Sequence, residues 1–264
     1  MRAVGTVRHD AMGSVDPSDL AKFERLGAEW WDEKGAMGPL HKLNPTRIRY
    51  IRDVLAKHFG ATVGGDTARG TLPLSGLTVL DIGCGGGLLA EPLTRLGARV
   101  TGIDPARGNI DVALSHAADM GLTIDYRAVT VESLAATEIR FDVVIASEVV
   151  EHVVDQARFV ATASDLVKRG GLFVASTLNR TAKSFLLAIV GAEYVLGWLP
   201  RGTHHWTQFV TPDELGQWVR QAGLHPIDRK GMIFNPLRNQ WHLGRDTDVN
   251  YLFAAERREV AFKA

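Results

Sequence analysis

Two clusters of side chains in this sequence could do chemistry. The first is a glycine run. The apolar stretch Val79-Leu80-Asp81-Ile82 ends in Gly83-Cys84-Gly85-Gly86-Gly87. Glycine allows positive φ and lets a ligand come against bare backbone. In an open α/β sheet, ligands bind at the carboxyl ends of the strands. A nucleotide-type cofactor is therefore expected here. Gly85-x-Gly87-x-x-Ala90 satisfies the dinucleotide spacing, and Asp104 stands nineteen residues past Gly85, where a ribose-binding acid is expected. Asp81 favours a different occupant. A carboxylate two residues before the first glycine attracts an ammonium and repels a pyrophosphate. S-adenosyl-L-methionine carries an ammonium, a sulfonium and a ribose but no phosphate, so Asp81 and Asp104 favour it over a nicotinamide cofactor. The plainer readings are an Asx turn at Asp81 and a helix N-cap at Asp104, which precedes Pro105. Cys84, inside the loop, reads as a small space-filler rather than a reactive thiol, since no cation adjoins it in sequence.

The second cluster follows the buried-strand run Phe141 to Ser147. It is Glu148-Val149-Val150-Glu151-His152. Glu148, Glu151 and His152 stand at i, i+3 and i+4, so a helical turn would place all three on one side. Such a set could supply a general base or ligate a divalent metal, Mg²⁺ or, since imidazole suits a softer ion, Zn²⁺. The competing reading is a solvated helix start whose acids answer the helix dipole. His204 and His205, beside Trp206, are further candidates for a pocket wall, or a loop pair stacked on that ring.

Positioning these clusters requires alternating strands and helices. From Leu77 onward, short apolar runs (LTVLDI, ARVTGI, LTIDYRA, FDVVIAS, GLFVAST) alternate with helical stretches, including 106–120 and 156–168. That pattern predicts an α/β domain with a mostly parallel sheet. Thr211-Pro212-Asp213-Glu214 starts a later helix. Strands near 225–234 and 248–256, with a turn-rich segment between them, could pair as an antiparallel edge. Upstream, Phe23, Leu26, Gly27, Trp30 and Trp31 form one helical stripe, and a second helix is expected to start at Asn44-Pro45 and stop at Gly60. The expected division is a flexible tail at 1–16, a helical cap at 17–60, an exposed linker at 61–76, and a cofactor-binding domain at 77–258 with an insertion at 180–207.

Composition bounds the partners. Lys+Arg and Asp+Glu both number 30, and no basic tract offers the broad positive face of a nucleic-acid binder. The Asn-Pro-Pro-Tyr type of sequence that serves methylation of exocyclic amines is also absent after the fourth strand. One cysteine excludes an internal disulfide and fits a reducing compartment. Residues 1–16 lack the apolar run of a secretory signal. The longest apolar stretch, Phe185 to Leu199, is shorter than the ~20 residues of a spanning helix and is interrupted by Glu193.

The segments LDIGCGGG, VTGIDPA, FDVVIASEVVEHV, LVKRGGLFVASTLNR, GTHHW and DVNYLFAAE together resemble the ubiquinone-biosynthesis O-methyltransferases. These are class I S-adenosylmethionine-dependent methyltransferases. The N-terminal KFERLGAEWWDEKG and PLHKLNPTRIRYI extend the resemblance over roughly residues 18–257. The class I motifs are shared by many methyltransferases and point only to the cofactor. STLNR, the WWD stretch, LNPTR and the insertion with GTHHW are more specific to the family. The 61–76 linker is longer than that family usually carries.

The resemblance implies a Rossmann-like, seven-stranded sheet whose last strand is antiparallel, with an N-terminal helical cap and an insertion after the fifth strand. It implies methylation of a polyprenyl catechol and of a demethylated ubiquinol. Arg47 matches the arginine that reaches the cofactor's carboxylate. Gly83 and Asp104 match loop and ribose contacts, and Ser147 matches a strand-end cofactor contact. Glu148, Glu151 and His152 match positions that eukaryotic relatives use for a divalent metal. A polyprenyl acceptor further implies a cytoplasmic enzyme visiting the inner-membrane surface, with residues 181–199 as the contact and Lys183 and Arg201 at its flanks, or else a cap helix packed on the sheet. It also leaves room for a quinone-biosynthesis complex. The alternatives are a methyltransferase for another small phenol, a nicotinamide-dependent reductase, and a non-enzymatic cofactor-binding scaffold.

Overall fold

The computed structural model describes residues 13–16, 20, 27–60, 72–186 and 206–259. Its centre is an eight-stranded sheet in the order β3-β2-β1-β4-β5-β8-β6-β7. The strands are β1 (Thr78–Ile82), β2 (Arg99–Ile103), β3 (Asp125–Arg127), β4 (Phe141–Ser147), β5 (Val167–Leu178), β6 (His225–Asn235), β7 (Gln240–Gly244) and β8 (Asn250–Glu256). β1 to β5 are mutually parallel, and β8 runs antiparallel between β5 and β6.

The helices are α1 (Gly38–Phe59), α2 (Ala90–Arg95), α3 (Arg107–Asp119), α4 (Val131–Ala135), α5 (Gln156–Asp165), the short α6 (Ala182–Ser184) and α7 (Pro212–Gln221). Alternation along the strands divides them into two layers. Val79, Val143 and Val174 face a core shared with α1, α2 and α3. Leu80, Val144 and Phe173 face a core shared with α4, α5 and α7. This is a sheet covered by helices on both faces, as the uninterrupted apolar strands require.

Several sequence expectations need correction. The sheet has eight strands, because the turn-rich segment is itself a hairpin. Asn235 Oδ1 accepts from the Leu237 and Arg238 amides, and Asn239 takes φ +49°, so the chain reverses and Gln240–Gly244 pairs with β6. Strand β8 lies inside the sheet between β5 and β6, and β7 is the edge beyond β6. Next, α1 starts at Gly38 with Pro39 in its first turn, leaving Pro45 inside the helix. Asn44 does not cap, because its amide is drawn to the Leu88 carbonyl at 2.6 Å. The α1 residues Tyr50, Ile51 and Leu55 belong to the main core, so this helix is one layer of the domain and not a separate cap.

Of the expected linker 61–76, residues 61–71 lie outside the described residues, and the remainder is packed onto the domain. Leu74 is fully buried, and its amide donates to the Leu96 carbonyl. Residues 13–16 are likewise anchored: Val15 bridges Val153, and the Ser14 amide donates to Glu132. The start of the Phe23–Trp31 stripe lies outside the described residues. Its end, Gly27–Trp31, is a 3₁₀ turn.

Candidate active site

β1 and β4 are the neighbouring strands at which the strand order reverses, and their carboxyl ends carry both chemical clusters. A cavity of about 710 Å³ opens there. Arg47, Asp81, Gly83, Asp104, Ser147, Glu148 and His152 all line it. Residues on four elements and their loops, separated in sequence by up to a hundred positions, therefore meet at one site. Gly85 and Glu151 are the two predicted site residues that do not line it.

The glycine loop turns through Gly83 at φ +67° and Gly85 at φ +53°, conformations that penalise a side chain. A Cβ on Gly85 would also enter the Trp30 ring. Behind the loop, Asp81 is buried, and its Oδ2 has no hydrogen-bond partner. Burial pushes its carboxyl up to about 7; nearby Arg47 opposes the shift and Asp104 adds to it. An orphaned carboxylate oxygen on a cavity-lining residue fits a cationic ligand group. Asp104 accepts from the Gly85 amide at 3.0 Å, the Ala106 amide at 2.8 Å and Asn109 Nδ2 at 3.2 Å. The expected local role at the start of α3 and a place in the cavity wall thus coexist. Cys84 is buried and its thiol is pushed well up by burial and by Asp81 and Asp104, which agrees with an inert space-filler.

Arg47 enters from α1. Its side chain is buried, Nη2 donates to Glu148 Oε1 at 3.1 Å, and Nε has no partner. The buried cation therefore keeps one edge for an anion. Asp81 Oδ2 and Arg47 Nε complement the ammonium and carboxylate of an α-amino acid.

Past β4, the trio is not gathered as the i, i+3, i+4 spacing predicts. Glu148 takes φ +55°, and the helical turn is only the 3₁₀ segment Val150–His152. Glu148 Oε1 accepts from Ser176 Oγ at 2.8 Å as well as from Arg47. Glu151 turns away from the cavity. It is buried, accepts from Thr177 Oγ1 at 2.7 Å, and is pushed up to about 7, first by burial and then by Glu148, with His152 opposing. Among the described residues, no group of three His, Cys, Asp or Glu side chains is placed to hold a metal ion. The divalent-metal reading of Glu148, Glu151 and His152 does not fit this arrangement, and no step below passes through a metal.

Ser147 Oγ lies 2.8 Å from Ser176 Oγ. Ser176 spends its proton on Glu148, so Ser147 donates to Ser176. Ser176 was not singled out from the sequence. The available signal was that β4 ends in Ser147 and β5 carries Ser176-Thr177 just before its last residue, and the register pairs Ser147 with Ser176. Trp30 and Asn109, which also line the cavity, were missed because nothing in sequence links them. His204 and His205 lie outside the described residues.

One side of the wall is apolar and comes from α1 and the β6–β7 hairpin, including Leu40, Met232, Phe234, Pro236 and Trp241. It suits an aromatic ring beside the polar end. The hairpin is held to α1 by Thr46 Oγ1, which donates to the Trp241 carbonyl at 3.0 Å.

The fold and this site define a class I S-adenosylmethionine-dependent methyltransferase. The methyltransferase-domain family matches residues 44–228. The ubiquinone biosynthesis O-methyltransferase of Methylobacterium nodulans is 59% identical over 244 residues, covering 92% of this chain and 96% of the relative. That of Azorhizobium caulinodans is 54% identical over 250 residues, covering 95% and 97%. The chain belongs to the ubiquinone biosynthesis O-methyltransferase family. Solved structures share the fold at low identity. A methyltransferase from Thermotoga maritima superposes with TM-score 0.59 at 17% identity, covering 90% of this chain and all (100%) of that one. The Burkholderia thailandensis 1,6-didemethyltoxoflavin N1-methyltransferase gives 0.58 at 18%, covering 98% and 94%.

Proposed function

We propose that this chain methylates the catechol-type hydroxyl of polyprenyl hydroxyphenol and demethylubiquinol intermediates, using S-adenosyl-L-methionine. The observation that carries the reading is that two residues lining one cavity, Asp81 and Arg47, each hold a buried polar atom, Oδ2 and Nε, without a hydrogen-bond partner. Together they match the amino-acid end of that cofactor, while Gly83, Gly85, Asp104 and Ser147 form or support the floor beneath its remainder. A pyrophosphate would meet two carboxylates here and be repelled. Calorimetry with S-adenosylhomocysteine and with NADH tests this directly. Binding of the first alone supports the reading, and binding of NADH alone overturns it.

When bound, the cofactor supplies a methyl group on a sulfonium for in-line displacement. The chain must present the acceptor oxygen as a nucleophile. A phenol of pKa ~10 is ionised to about one part in a thousand at pH 7, so the phenolate costs about 4 kcal/mol. Glu148 and His152 line the cavity and can take that proton. Arg47 and Ser176 anchor one oxygen of Glu148, which fixes the carboxylate and leaves the other oxygen unengaged by them. Glu151 stays behind this pair as a buried carboxyl. The apolar wall from α1 and the hairpin holds the ring and excludes water.

The tail of such an acceptor favours lipid by about 0.8 kcal/mol per CH₂, so the enzyme must meet it at the bilayer surface. Among the described residues, no helix is long and apolar enough to cross a membrane. Of the expected contact 181–199, only the start is described. There Phe185 and Leu186 are exposed, which supports an interfacial seat. Lys183 is already paired with Asp246 and Asp248, which argues against its serving as a free anchor for anionic lipid. Flotation with vesicles tests this seat. Co-flotation that is lost in Phe185→Ser/Leu186→Ser supports it, and an absence of co-flotation removes it. Assembly with other quinone-synthesis enzymes on the cytoplasmic face is part of the same reading, and no nucleic acid is involved.

A further inference from the structure

A closed ring of contacts joins the N-terminal turn to the cofactor loop. Trp30, on the Gly27–Trp31 turn, packs its indole against Gly85 and Gly86. Its Nε1–H donates to Asn109 Oδ1 at 2.9 Å in a buried bond. Asn109 Nδ2 donates to Asp104 Oδ1 at 3.2 Å, and the Gly85 amide donates to Asp104 Oδ2 at 3.0 Å. The ring then closes, since Gly85 lies beneath Trp30. Indole is only a donor and an ionised carboxylate only an acceptor, so the orientation of the Asn109 amide is dictated from both ends. Asn109 is 1% exposed, and Trp30, Asn109 and Asp104 all line the cavity. Trp31 adds a second tie, with Nε1 donating to the Gly86 carbonyl at 3.0 Å.

We propose that Asn109 is a positioning residue that aims the Asp104 carboxylate at the bound ribose and couples it to Trp30, which covers the cofactor loop. The physical need is clear. A carboxylate that must accept from a sugar hydroxyl has its lone pairs contested by the Ala106 and Gly85 amides. The Asn109 amide takes a further position on Oδ1 and limits rotation about χ2. No isosteric residue does this while also accepting from Trp30: aspartate would repel Asp104, and leucine would leave the buried Trp30 Nε1 without a partner and take one donor from Asp104. The proposal rests on S-adenosylmethionine being the cofactor.

The test is a double-mutant cycle on S-adenosylhomocysteine affinity, measured by calorimetry with the full chain. Asn109→Ala is expected to weaken binding about tenfold in the wild-type background, the magnitude of one buried hydrogen bond. In the Asp104→Asn background the same change should cost under twofold, because the group through which it acts has been altered. Trp30→Phe keeps an aromatic ring beside Gly86 and deletes the donor together with the outer indole ring that lies on Gly85. It should raise KM for the cofactor severalfold while leaving KM for a soluble phenolic acceptor unchanged, a split that general loosening of the fold would not produce. Equal losses from Asn109→Ala in both backgrounds, or no loss in either, would overturn the proposal. Failure of the wild-type chain to bind S-adenosylhomocysteine would instead remove the cofactor reading beneath it. Should Asn109→Ala fold poorly, Trp30→Phe alone decides: matching rises in both KM values, or in neither, overturn it.

Discussion

The Arg47 guanidinium donates to Glu148 Oε1 at 3.1 Å across 101 residues of sequence, and both side chains line one cavity. The pair ties the cofactor's expected carboxylate site to the expected base. Arg47→Ala removes the only cation hydrogen-bonded to Glu148 among the described residues and deletes the anion site at Nε. A charge-assisted hydrogen bond contributes about 1.5–3 kcal/mol, so S-adenosylhomocysteine affinity should fall between about tenfold and a hundredfold. Arg47→Lys retains the charge but loses the fork, and is expected to recover only part of that loss by calorimetry.

Asp81 supplies a pH dependence. Burial raises its carboxyl to about 7 in the ligand-free chain, whereas an ammonium ligand needs the carboxylate. Affinity for S-adenosylhomocysteine should therefore climb as pH rises from 5.5 to 7 and level off above. Between about 3.8 and 7 the folded chain holds a proton here that the unfolded chain has released. Native binding of the extra proton means that the Asp81 contribution to stability declines as pH rises through that window. Asp81→Asn should flatten the binding profile and weaken affinity at pH 8.

Glu148 and Glu151, though three residues apart, should respond differently to the same change. Glu148→Gln removes the cavity-lining carboxylate proposed as base and should lower kcat by about a hundredfold or more. Glu151→Gln replaces a buried carboxyl, raised to about 7, with an isosteric amide that can still accept from Thr177. Its kcat should stay within about threefold of wild type, since general-base effects require hydrogen-bond reach of the acceptor. A Glu151→Gln loss as large as that of Glu148→Gln would return Glu151 to the catalytic set.

Gly85→Ala tests the loop geometry. The residue sits at φ +53°, and the added methyl would meet the Trp30 ring. Backbone strain of about 1–2 kcal/mol adds to the steric cost, so thermal stability should fall and S-adenosylhomocysteine binding should be lost together. Gly85→Ala combined with Trp30→Ala, which removes the clash but not the strain, should recover part of the stability.

Most of the scaffold was readable because its signals are local. The alternation of apolar runs with helical stretches located β1, β2, β4 and β5, and the capping box at Thr211 and Glu214 located α7. The hairpin Gln240–Gly244 was missed because two reversals within a dozen residues leave little apolar run to see. The start of α1 was misplaced because Asn44-Pro45 has the composition of a helix start, whereas the tertiary partner Leu88 claims the Asn44 side chain. Within the site, Asp81, Asp104 and Arg47 were readable by residue type and spacing or by family likeness. Ser176, Asn109 and Trp30 were not, since each acts through a partner remote in sequence.

The amino-acid sequence alone determined the cofactor class, the glycine turn and the strand ends that bear charge, because these depend on residue types within a few positions of one another. Only the tertiary structure decided which carboxylates face the cavity. Glu148 and Glu151 are alike in sequence, yet positive φ at Glu148 and the 3₁₀ turn after it direct one side chain to Arg47 and the other to Thr177. A helical period predicts that both share a face. The backbone departs from that period here because the sheet end must hand the chain over to α5, and residues on α1 and β5 decide which carboxylate is paired.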